Sequence, residues 1–342
     1  LTSCWIVGNA QHDVNRDFGG GICCDGASPT ITGCTIAGNI GRYGGGLGCL
    51  TGASPTVADC IISANDAITA QGTPTPNGGG GGGVFAHDQS SPALSNCIIS
   101  GNYARNWGGG ALYCQGTSSP TLTNCTISKN WAHHTDGYDL LSGIVVNTGS
   151  RPLLLNCILE GMPNGAVYEE DVASDVYARY GLFYSNGPYD FHDFDDSANY
   201  TGGIDINTKA DSCWGNVTAV SPDPRFVVGA SGTWSAAPVY SAVTNTTTLT
   251  TSGSPFAADE LVGRFVNADT SQPRQAFIVA NTTNTITVVN DITSATGLEG
   301  YADNGDAFQV VDYRLQQGPP ASPCKDAGDT AGVPPAPPRD IR

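Results

Sequence analysis

The chain has 342 residues, a formal net charge of −17 and 14 basic side chains, of which three are lysine. This balance excludes a nucleic acid or an anionic membrane surface as partner, since both require a basic footprint. No apolar stretch approaches the roughly 20 residues of a transmembrane helix, so we expect no membrane insertion. A composition that is acidic and rich in glycine and threonine favours an exported protein, extracellular or at the cell surface.

Residues 1–162 repeat a unit in which one apolar residue lies three positions before a cysteine and another lies two positions after it. An asparagine follows five positions after the cysteine in every unit except the last. The two columns are Cys4, Cys34, Cys60, Cys97, Cys125 and Cys157, and Asn9, Asn39, Asn65, Asn102 and Asn130. Self-similarity with a period of about 20 to 50 residues is typical of a solenoid, and the alternation in Thr30-Ile31-Thr32 predicts strands. We therefore predict coils of parallel β-structure whose equivalent residues stack about 4.8 Å apart.

Each column has a structural interpretation. Stacked asparagines hydrogen-bond their amides to one another and tolerate left-handed backbone angles, so we interpret them as a structural ladder. The six cysteines occupy an inward position, where free thiols act as small buried hydrophobes. Runs such as Gly44-Gly45-Gly46 precede short apolar strands, where positive φ or close backbone approach is required.

The remaining cysteines allow two interpretations. A second possible column consists of Cys24, Cys49 and Cys114, with Cys23 beside it. Cys213 and Cys324 lie outside both columns and are the candidate disulfide, a bond that would persist in an exported protein. This bond would connect the irregular end of the solenoid to the C-terminal segment.

The unit at residues 28–39, Ser-Pro-Thr-Ile-Thr-Gly-Cys-Thr-Ile-Ala-Gly-Asn, resembles the repeat of bacterial right-handed parallel β-helix proteins of the secreted and cell-surface type. The segments at 223–227 and 312–315 resemble the closing part of that family, where they lie close together. Here residues 228–311 separate them. The resemblance therefore implies an all-β chain with a right-handed parallel β-helix at 1–227, regular to about 162. A small inserted antiparallel β-barrel or sandwich follows at 228–311, and a closing segment with a Pro-rich tail at 312–342.

The insert contains runs that predict strands of its own. These runs are separated by Ser-Gly, Asn-Thr and Asp-Asn-Gly turns. They cover Thr246–Thr250, Gly263–Val266, Ala276–Val279 and Thr285–Val289. A spacer or decoration is the simplest role for this insert, and glycan or subunit binding is the alternative.

The two ends suggest self-assembly. Leu1 aligns with Ile31 inside a unit, and an open solenoid end exposes unpaired strand edges. We expect copies of the chain to join head to tail into an extracellular fibre or surface layer. The interface would include Leu1, Pro335, Pro337 and Arg342. A polysaccharide-binding adhesin module of a longer surface protein is the alternative.

A polysaccharide lyase or hydrolase is a further alternative, because many β-helical proteins act on polysaccharides. Such chemistry requires paired carboxylates, or calcium with an Arg or Lys base. Among the acidic residues, Asp190, Asp193, Asp195 and Asp196 form a calcium candidate, with Glu169, Glu170 and Asp171 nearby in sequence. No convincing acid, base and cation set is present, so we expect a non-enzyme and assign no catalytic residue.

Two further patterns concern sugars. Arg16, Arg42 and Arg105 precede successive glycine runs beside Phe18, Tyr43 and Trp107, which predicts either stacking of each arginine on a ring or a site for an acidic sugar.

The His133-His134 pair with Asp136 is interpreted as a surface loop, because consecutive residues on a strand point to opposite faces. Sequons permit covalent glycans at Asn245 and Asn281 in the insert, and at Asn199 and Asn216 before it. Asn124 lies beside a column cysteine and is a poor acceptor.

Overall fold

The computed structural model describes residues 1–10, 18–68, 79–105, 107–133, 143–195, 197–201, 214–215, 223–224, 226–293 and 301–315. Leu1–Phe226 forms one compact unit, to which Arg314 and Leu315 also belong, and Val227–Tyr313 forms a second. Every regular element in these ranges is a β-strand, which confirms the all-β prediction. The described ranges contain no helix of membrane-spanning length and hydropathy.

The first unit is a parallel β-helix in which each coil contributes one strand to each of up to four sheets. Sheet 1 holds the strands before the column cysteines and two equivalent strands of later coils: Thr30–Thr32, Thr56–Ala58, Ala93–Ser95, Thr121–Thr123, Leu153–Leu155, Tyr177–Arg179 and Trp214–Gly215. Sheet 2 holds the strand after it: Trp5–Val7, Thr35–Ala37, Ile61–Ser63, Ile98–Ser100, Thr126–Ser128, Ile158–Glu160 and Leu182–Tyr184.

Two further sheets complete the coils. Sheet 3 holds short strands after the asparagines: Ile40–Gly41, Asp66–Ala67, Tyr103–Arg105 and Trp131–His133. Sheet 4 follows the glycine runs and holds Ile22–Asp25, Leu47–Leu50, Val84–Ala86, Leu112–Cys114, Ile144–Val146, Val167–Glu169 and Phe191–Asp193, with Ala198–Tyr200 antiparallel at its edge. All other strand pairs of this unit for which a register is given are parallel.

Stacked aliphatic residues fill the inside of the helix. The middle residues of sheet 1 pair in register from Ile31 through Val57 and Leu94 to Leu122, and each is at most 1% exposed. Sheet 2 supplies an equivalent inner stack that includes Ile36. Burying such a side chain stabilises the fold by roughly 1.5–3 kcal/mol, so each added coil extends one continuous core.

The column cysteines lie at the corner between sheets 1 and 2. All ten cysteines within the described ranges are free thiols. The Cys60 Sγ donates to the Ala58 carbonyl at 3.1 Å, and the side chain is fully buried. A hydrogen bond with Cys97, and then burial, raise the pKa of the Cys60 thiol. The Cys60 thiol therefore packs as a neutral, unreactive group.

The asparagine column forms a continuous hydrogen-bonded ladder. The Asn39 Oδ1 accepts from the Asn9 amide nitrogen Nδ2 at 2.9 Å, and the Asn39 Nδ2 donates to Asn65 at 3.0 Å. The same bond joins Asn65 to Asn102 at 3.0 Å and Asn102 to Asn130 at 2.9 Å. Each Nδ2 from Asn39 to Asn130 also donates to a sheet 2 carbonyl of the coil before. The ladder thus satisfies backbone groups at the corner between sheets 2 and 3.

The three glycines of one run meet three different constraints. Gly44 has a φ of +68°, a conformation that side chains with a Cβ rarely adopt. A Cβ on Gly45 would lie 2.6 Å from the Asp66 carbonyl group of sheet 3, and a Cβ on Gly46 would lie 3.0 Å from the Asn65 Nδ2. The run at 19–21 and the run at 81–83 repeat this order. Turn geometry and close backbone approach, which the sequence offered as separate reasons, therefore both apply.

The second unit is one seven-stranded sheet. In spatial order its strands are Phe226–Thr233, Ala307–Leu315, Phe265–Asn267, Ala276–Asn281, Thr285–Val289, Thr246–Thr250 and Val239–Ser241. The pairs with a defined register are antiparallel. The four strand runs expected in this segment are present, two of them with the predicted limits.

The core of the second unit centres on Trp234. Its ring stacks on Phe308 with centroids 4.1 Å apart, and its Nε1 donates to the Ala268 carbonyl at 2.8 Å. An isolated antiparallel bridge joins Trp234 to Thr251, which brings together chain segments that follow the first and the sixth strand in spatial order. The sheet therefore curls toward closure, as in the barrel alternative.

Removing one ladder side chain from the middle of the helix should destabilise the first unit. The Asn65→Ala variant leaves the Ile36 carbonyl and both Asn39 donors without this partner, and we expect a loss of about 2–4 kcal/mol in the free energy of unfolding. Urea unfolding followed by circular dichroism measures it. Asn9→Ala, in the exposed first rung, is the matched control and should cost less than about 1 kcal/mol; equal losses would contradict the ladder's structural role.

A methyl group at the backbone contact should be more damaging than one elsewhere. Gly45→Ala forces a Cβ against backbone atoms at 2.6 Å, and we expect a loss of about 2–3 kcal/mol. Gly181→Ala is the control, because the nearest atom to its Cβ is 3.5 Å away and its φ is not positive. This control should change stability by about 0.5 kcal/mol or less. Similar melting temperatures for both variants would refute the close-approach explanation.

Candidate functional site

The outer face of sheet 4 carries a row of aromatic side chains. Strand register places Gly48, Phe85, Tyr113, Val145 and Tyr168 above one another, on the side opposite the inner column that begins with Leu47. Adjacent segments add further rings. We call the set Phe18, Tyr43, Phe85, Trp107, Tyr113 and Tyr168 the aromatic face.

Five rings of the aromatic face contact one another, and Val145 separates them from Tyr168. Phe85 and Tyr113 stack with centroids 5.8 Å apart and an interplanar angle of 5°. Tyr43 lies 5.0 Å from Phe85, and Trp107 stands edge-on to Tyr43 at 6.1 Å and to Tyr113 at 6.4 Å. Phe85 and Tyr113 are buried, Tyr43 and Phe18 are half-buried, and Trp107 is 37% exposed. The buried rings therefore form a base from which an exposed rim projects.

A glycine makes room for this arrangement. Isolated parallel bridges place Phe18, Tyr43 and Gly80 in successive coils. A Cβ on Gly80 would lie 3.2 Å from the Tyr113 ring and 3.3 Å from the Trp107 Cβ. The missing side chain in this column therefore lets Trp107 and Tyr113 approach the row, which a larger residue would separate.

A polar row runs beside the aromatic face. It consists of His87, Gln115, Asn147 and Glu170, which are all half-buried and each follow a sheet 4 strand directly. Their backbone amides donate to Cys49, Ala86, Cys114 and Val146, each in the coil before, so the four residues occupy equivalent positions. Two parallel rows result, one of rings and one of hydrogen-bonding groups.

The last member of the polar row is linked to the aromatic face. The Asn147 Nδ2 donates to the Glu170 Oε2. The Tyr113 hydroxyl lies 3.5 Å from the same oxygen and 3.5 Å from the Asn147 Nδ2. Burial raises the pKa of Glu170 to about 7, against the two hydrogen bonds, and the charge of Asp171 adds to the rise. Glu170 therefore changes its charge near neutral pH.

The acidic residues on either side of Glu170 have structural roles. Glu169 belongs to the inner column of sheet 4, is 4% exposed, and accepts from the Val176 amide at 2.8 Å. The Asp171 carboxylate accepts from the Thr148 amide and, at 2.8 Å, from the Ala173 amide. Of the three consecutive acids, Glu170 is the one bonded to the aromatic face, a distinction that sequence alone did not make.

The three predicted calcium ligands that lie in the described ranges are not grouped around a common point. Asp190 accepts from the Asn186 Nδ2 at 2.7 Å, and Asp193 accepts from the backbone amide of Asp195 within a turn. Across the described ranges, no three His, Cys, Asp or Glu side chains are grouped to hold a metal ion. Asp196 lies outside those ranges. The calcium site formed by all four aspartates therefore stays a prediction.

The arginine pattern is partly visible. The Arg42 guanidinium lies over the Tyr43 ring, 5.1 Å from its centroid, whereas Arg105 is in register with His133 in sheet 3. The structure thus places one of the two described arginines against the aromatic face. Arg16, His134 and Asp136 lie outside the described residues.

The glycosylation prediction needs one correction. Asn281 is 4% exposed, its Nδ2 donates to the Ala257 and Thr282 carbonyls, and its Oδ1 accepts from the Leu261 amide. A buried and fully bonded amide is no acceptor for a glycan. Asn245 is also engaged, through Asn290 and Tyr240.

The other sequons differ in exposure. Asn199 is exposed, and its Oδ1 contacts the His192 Nδ1 at 2.7 Å. Asn124 bonds to Asn96 and Asn156 in a second, outer ladder, which explains its poor suitability as a glycan acceptor.

Of the predicted assembly interface, Leu1 is 57% exposed, and its amino group donates to the Thr30 carbonyl at 2.8 Å. Cys213, Asn216, Cys324, Pro335, Pro337 and Arg342 lie outside the described residues.

Sequence reasoning missed the polar row and the stacked pair of Phe85 and Tyr113. A signal was present, because Phe85, Tyr113 and Tyr168 each stand second in the strand after a glycine-containing turn. Aligning the chain on the sheet 4 strands, in addition to the cysteines, would have revealed them. The following position would then have given His87, Gln115, Asn147 and Glu170.

Comparison with known proteins identifies the first unit. A family model described as right handed beta helix region matches residues 2–213, which is more than half of the chain. No curated protein and no solved structure gives a match. The matched residues include the strands that carry both the aromatic face and the polar row.

The raised pKa of Glu170 predicts a pH-dependent cost in stability. Between its ordinary value of 4.5 and about 7 the native state binds more protons than the unfolded state, so stability falls as pH rises through this window. Glu170→Gln removes the cost, and we expect it to gain about 1–3 kcal/mol over wild type at pH 8 and nothing at pH 4. Urea unfolding at both pH values measures this gain. Asp88→Asn, an exposed site in the same unit, is the control; a gain that is equal at both pH values would be inconsistent with this assignment.

Proposed function

The chain belongs to the right-handed β-helix family, and we propose from that premise that it is an extracellular protein that binds polysaccharide along the outer face of sheet 4. The family includes both enzymes and proteins without catalytic activity. One observation carries the proposal: a row of aromatic rings with an exposed rim runs parallel to a row of half-buried hydrogen-bonding side chains.

The two rows match the two kinds of surface on a sugar. A pyranose ring presents C–H groups on its faces and hydroxyl groups around its edge. Aromatic rings offer apolar contact area at small entropic cost, and a few polar groups beside them set orientation. Because both rows follow the helix axis over several coils, they suit a chain of sugars better than a single small molecule.

Composition supports the location. A net charge of −17 and the scarcity of lysine disfavour anionic partners, which leaves neutral polymers as the class best suited to this surface. The secreted and cell-surface proteins that the repeats resemble support an extracellular location. The free thiols of the core do not oppose it, since their burial protects them from oxidation.

Binding without turnover is the form of the proposal that the geometry favours. Glycoside hydrolysis requires two carboxylates flanking one bond. Glu169 is buried in the inner column and Asp171 is held in a turn, so neither supplies a partner for Glu170. Head-to-tail assembly into a fibre stays a prediction, and three of its four expected interface residues lie outside the described ranges.

Trp107 should dominate binding because it is the most exposed ring of the aromatic face. An array of immobilised neutral and uronate-containing polysaccharides would identify a ligand, and titration calorimetry would then measure its affinity. We expect Trp107→Ala to weaken binding at least tenfold, as is common for buried aromatic anchors at interfaces.

The matched control is Trp5→Ala, which removes a ring that is 56% exposed on sheet 2. This variant should bind like wild type. If no polysaccharide on the array binds, or if both tryptophan variants lose affinity equally, the aromatic face is not a polysaccharide site. Circular dichroism of each variant checks that the fold is intact.

A further inference from the structure

The last residue of the polar row, Glu170, carries an ionisable carboxyl group. Glu170 lies half-buried against the aromatic face, held by Asn147 and within 3.5 Å of the Tyr113 hydroxyl. Every other member of the row is neutral or, in the case of His87, three coils away. A sugar that stacks on Trp107 and reaches Asn147 must therefore pass next to this carboxyl group.

We propose that Glu170 is the residue that selects among glycans at this site, admitting uncharged polysaccharides and excluding acidic ones while it is ionised. The inference rests on the proposed function and adds the class of substrate to it. A second carboxylate brought beside Glu170 would be repelled at short range in a partly desolvated place, where screening by salt is weak. An uncharged sugar meets a hydrogen-bond acceptor at the same position.

The groups around Glu170 leave it as the controlling charge. Tyr113 and Asn147 face it from the two preceding coils, Asp171 follows it in sequence, and Tyr168 lies two residues before it in the same segment. From the following coil, the His192 ring stacks on Tyr168 with centroids 4.5 Å apart, and its Nδ1 contacts the Asn199 Oδ1. Burial raises the pKa of Tyr113 and of Tyr168, so both hydroxyls stay neutral in the working range. The Asp171 carboxylate is bonded within its own turn.

The selection should therefore depend on pH. At pH 5.5 Glu170 is protonated and presents a neutral acid, which donates as well as accepts hydrogen bonds. Uronate carboxylates on a ligand remain ionised at that pH and meet no opposing charge from Glu170. At pH 8.5 both carboxylates are ionised, and the acidic glycan is excluded. The neutral glycan meets an acceptor in either state.

The test measures the binding of neutral and uronate-containing polysaccharides at pH 5.5 and 8.5 on one array, with the full chain. For wild type we expect the affinity for neutral ligands to change less than about threefold, and the affinity for uronate ligands to fall at least tenfold at pH 8.5. Glu170→Gln should bind uronate ligands equally at both pH values. His87→Gln and His192→Gln should each keep the wild-type pH dependence, which separates Glu170 from the titratable rings of the polar row and of the following coil.

The outcomes distinguish the two proposals. Binding of uronate ligands that is equal at both pH values in wild type overturns the selection by Glu170 and leaves polysaccharide binding standing. A pH dependence that survives in Glu170→Gln, or disappears in His87→Gln or His192→Gln, also overturns it. The same holds if Glu170→Gln binds neutral ligands and still binds no uronate ligand. Absence of binding by any polysaccharide at either pH overturns the proposed function itself.

Discussion

The contact between the glycine runs and the backbone of sheet 3 is the constraint on which the first unit depends. Gly45 approaches the Asp66 carbonyl so closely that a Cβ would lie at 2.6 Å, and Gly82 and Gly110 approach the Tyr103 and Trp131 carbonyls in the same way. The ladder amides fill the adjacent position, where Gly46 leaves space for Asn65. Two backbone segments and one buried hydrogen-bond ladder thus meet in a space that admits no further side-chain atom.

This contact determines where sheet 4 begins. The strand starts directly after the glycine run, so the first residue, such as Leu47 or Val84, points into the core and the second points outward. The third residue points into the core again, and the fourth residue lies at the corner of the coil. Alternation therefore places Phe85 and Tyr113 in one outer row, and His87 and Gln115 in the neighbouring polar row. A shift of one residue would turn the aromatic row inward.

Loops of different length leave this arrangement unchanged. The spacing from Cys60 to Cys97 is longer than that from Cys34 to Cys60, yet Val84 still pairs with Leu47 before it and with Leu112 after it. Variable segments can therefore supply rings such as Trp107 to a constant frame. Solenoids are expected to behave in this way, because their insertions map to loops on one face while the stacked core stays regular.

The sequence predicted the frame better than the site, for a physical reason. Cysteines and asparagines recur because each coil must meet the same packing and hydrogen-bonding demands, so repetition is visible without coordinates. The outer face of sheet 4 meets no such demand, and its members differ from coil to coil: one position holds Phe85, Tyr113 and Tyr168 but also Gly48 and Val145.

Three adjacent acidic residues show the same limit of prediction from sequence. Glu169, Glu170 and Asp171 are neighbours in sequence, and only strand alternation separates an inner residue, an outer residue and a turn residue. Asn281 is a comparable case, because its sequon is visible while its burial depends on the fold of the second unit. Local patterns identify chemistry that is permitted at a residue, and tertiary burial decides which of it remains accessible.

The partial burial of the Glu170 carboxyl group lowers the stability of the fold at high pH, and this loss of stability bears on the role of Glu170. A half-buried carboxyl group whose pKa is raised to about 7 is ionised at higher pH against its surroundings, which lowers stability without contributing to the core. A glutamine would accept the Asn147 hydrogen bond at no such cost. In a solenoid the loss is tolerated because each coil is stabilised mainly by its neighbours, so an unfavourable group in one coil is offset by the stack. Strained or destabilising groups in otherwise consistent structures are concentrated at functional sites, and Glu170 is such a group on the outer face of sheet 4, where rings and hydrogen-bonding side chains run together.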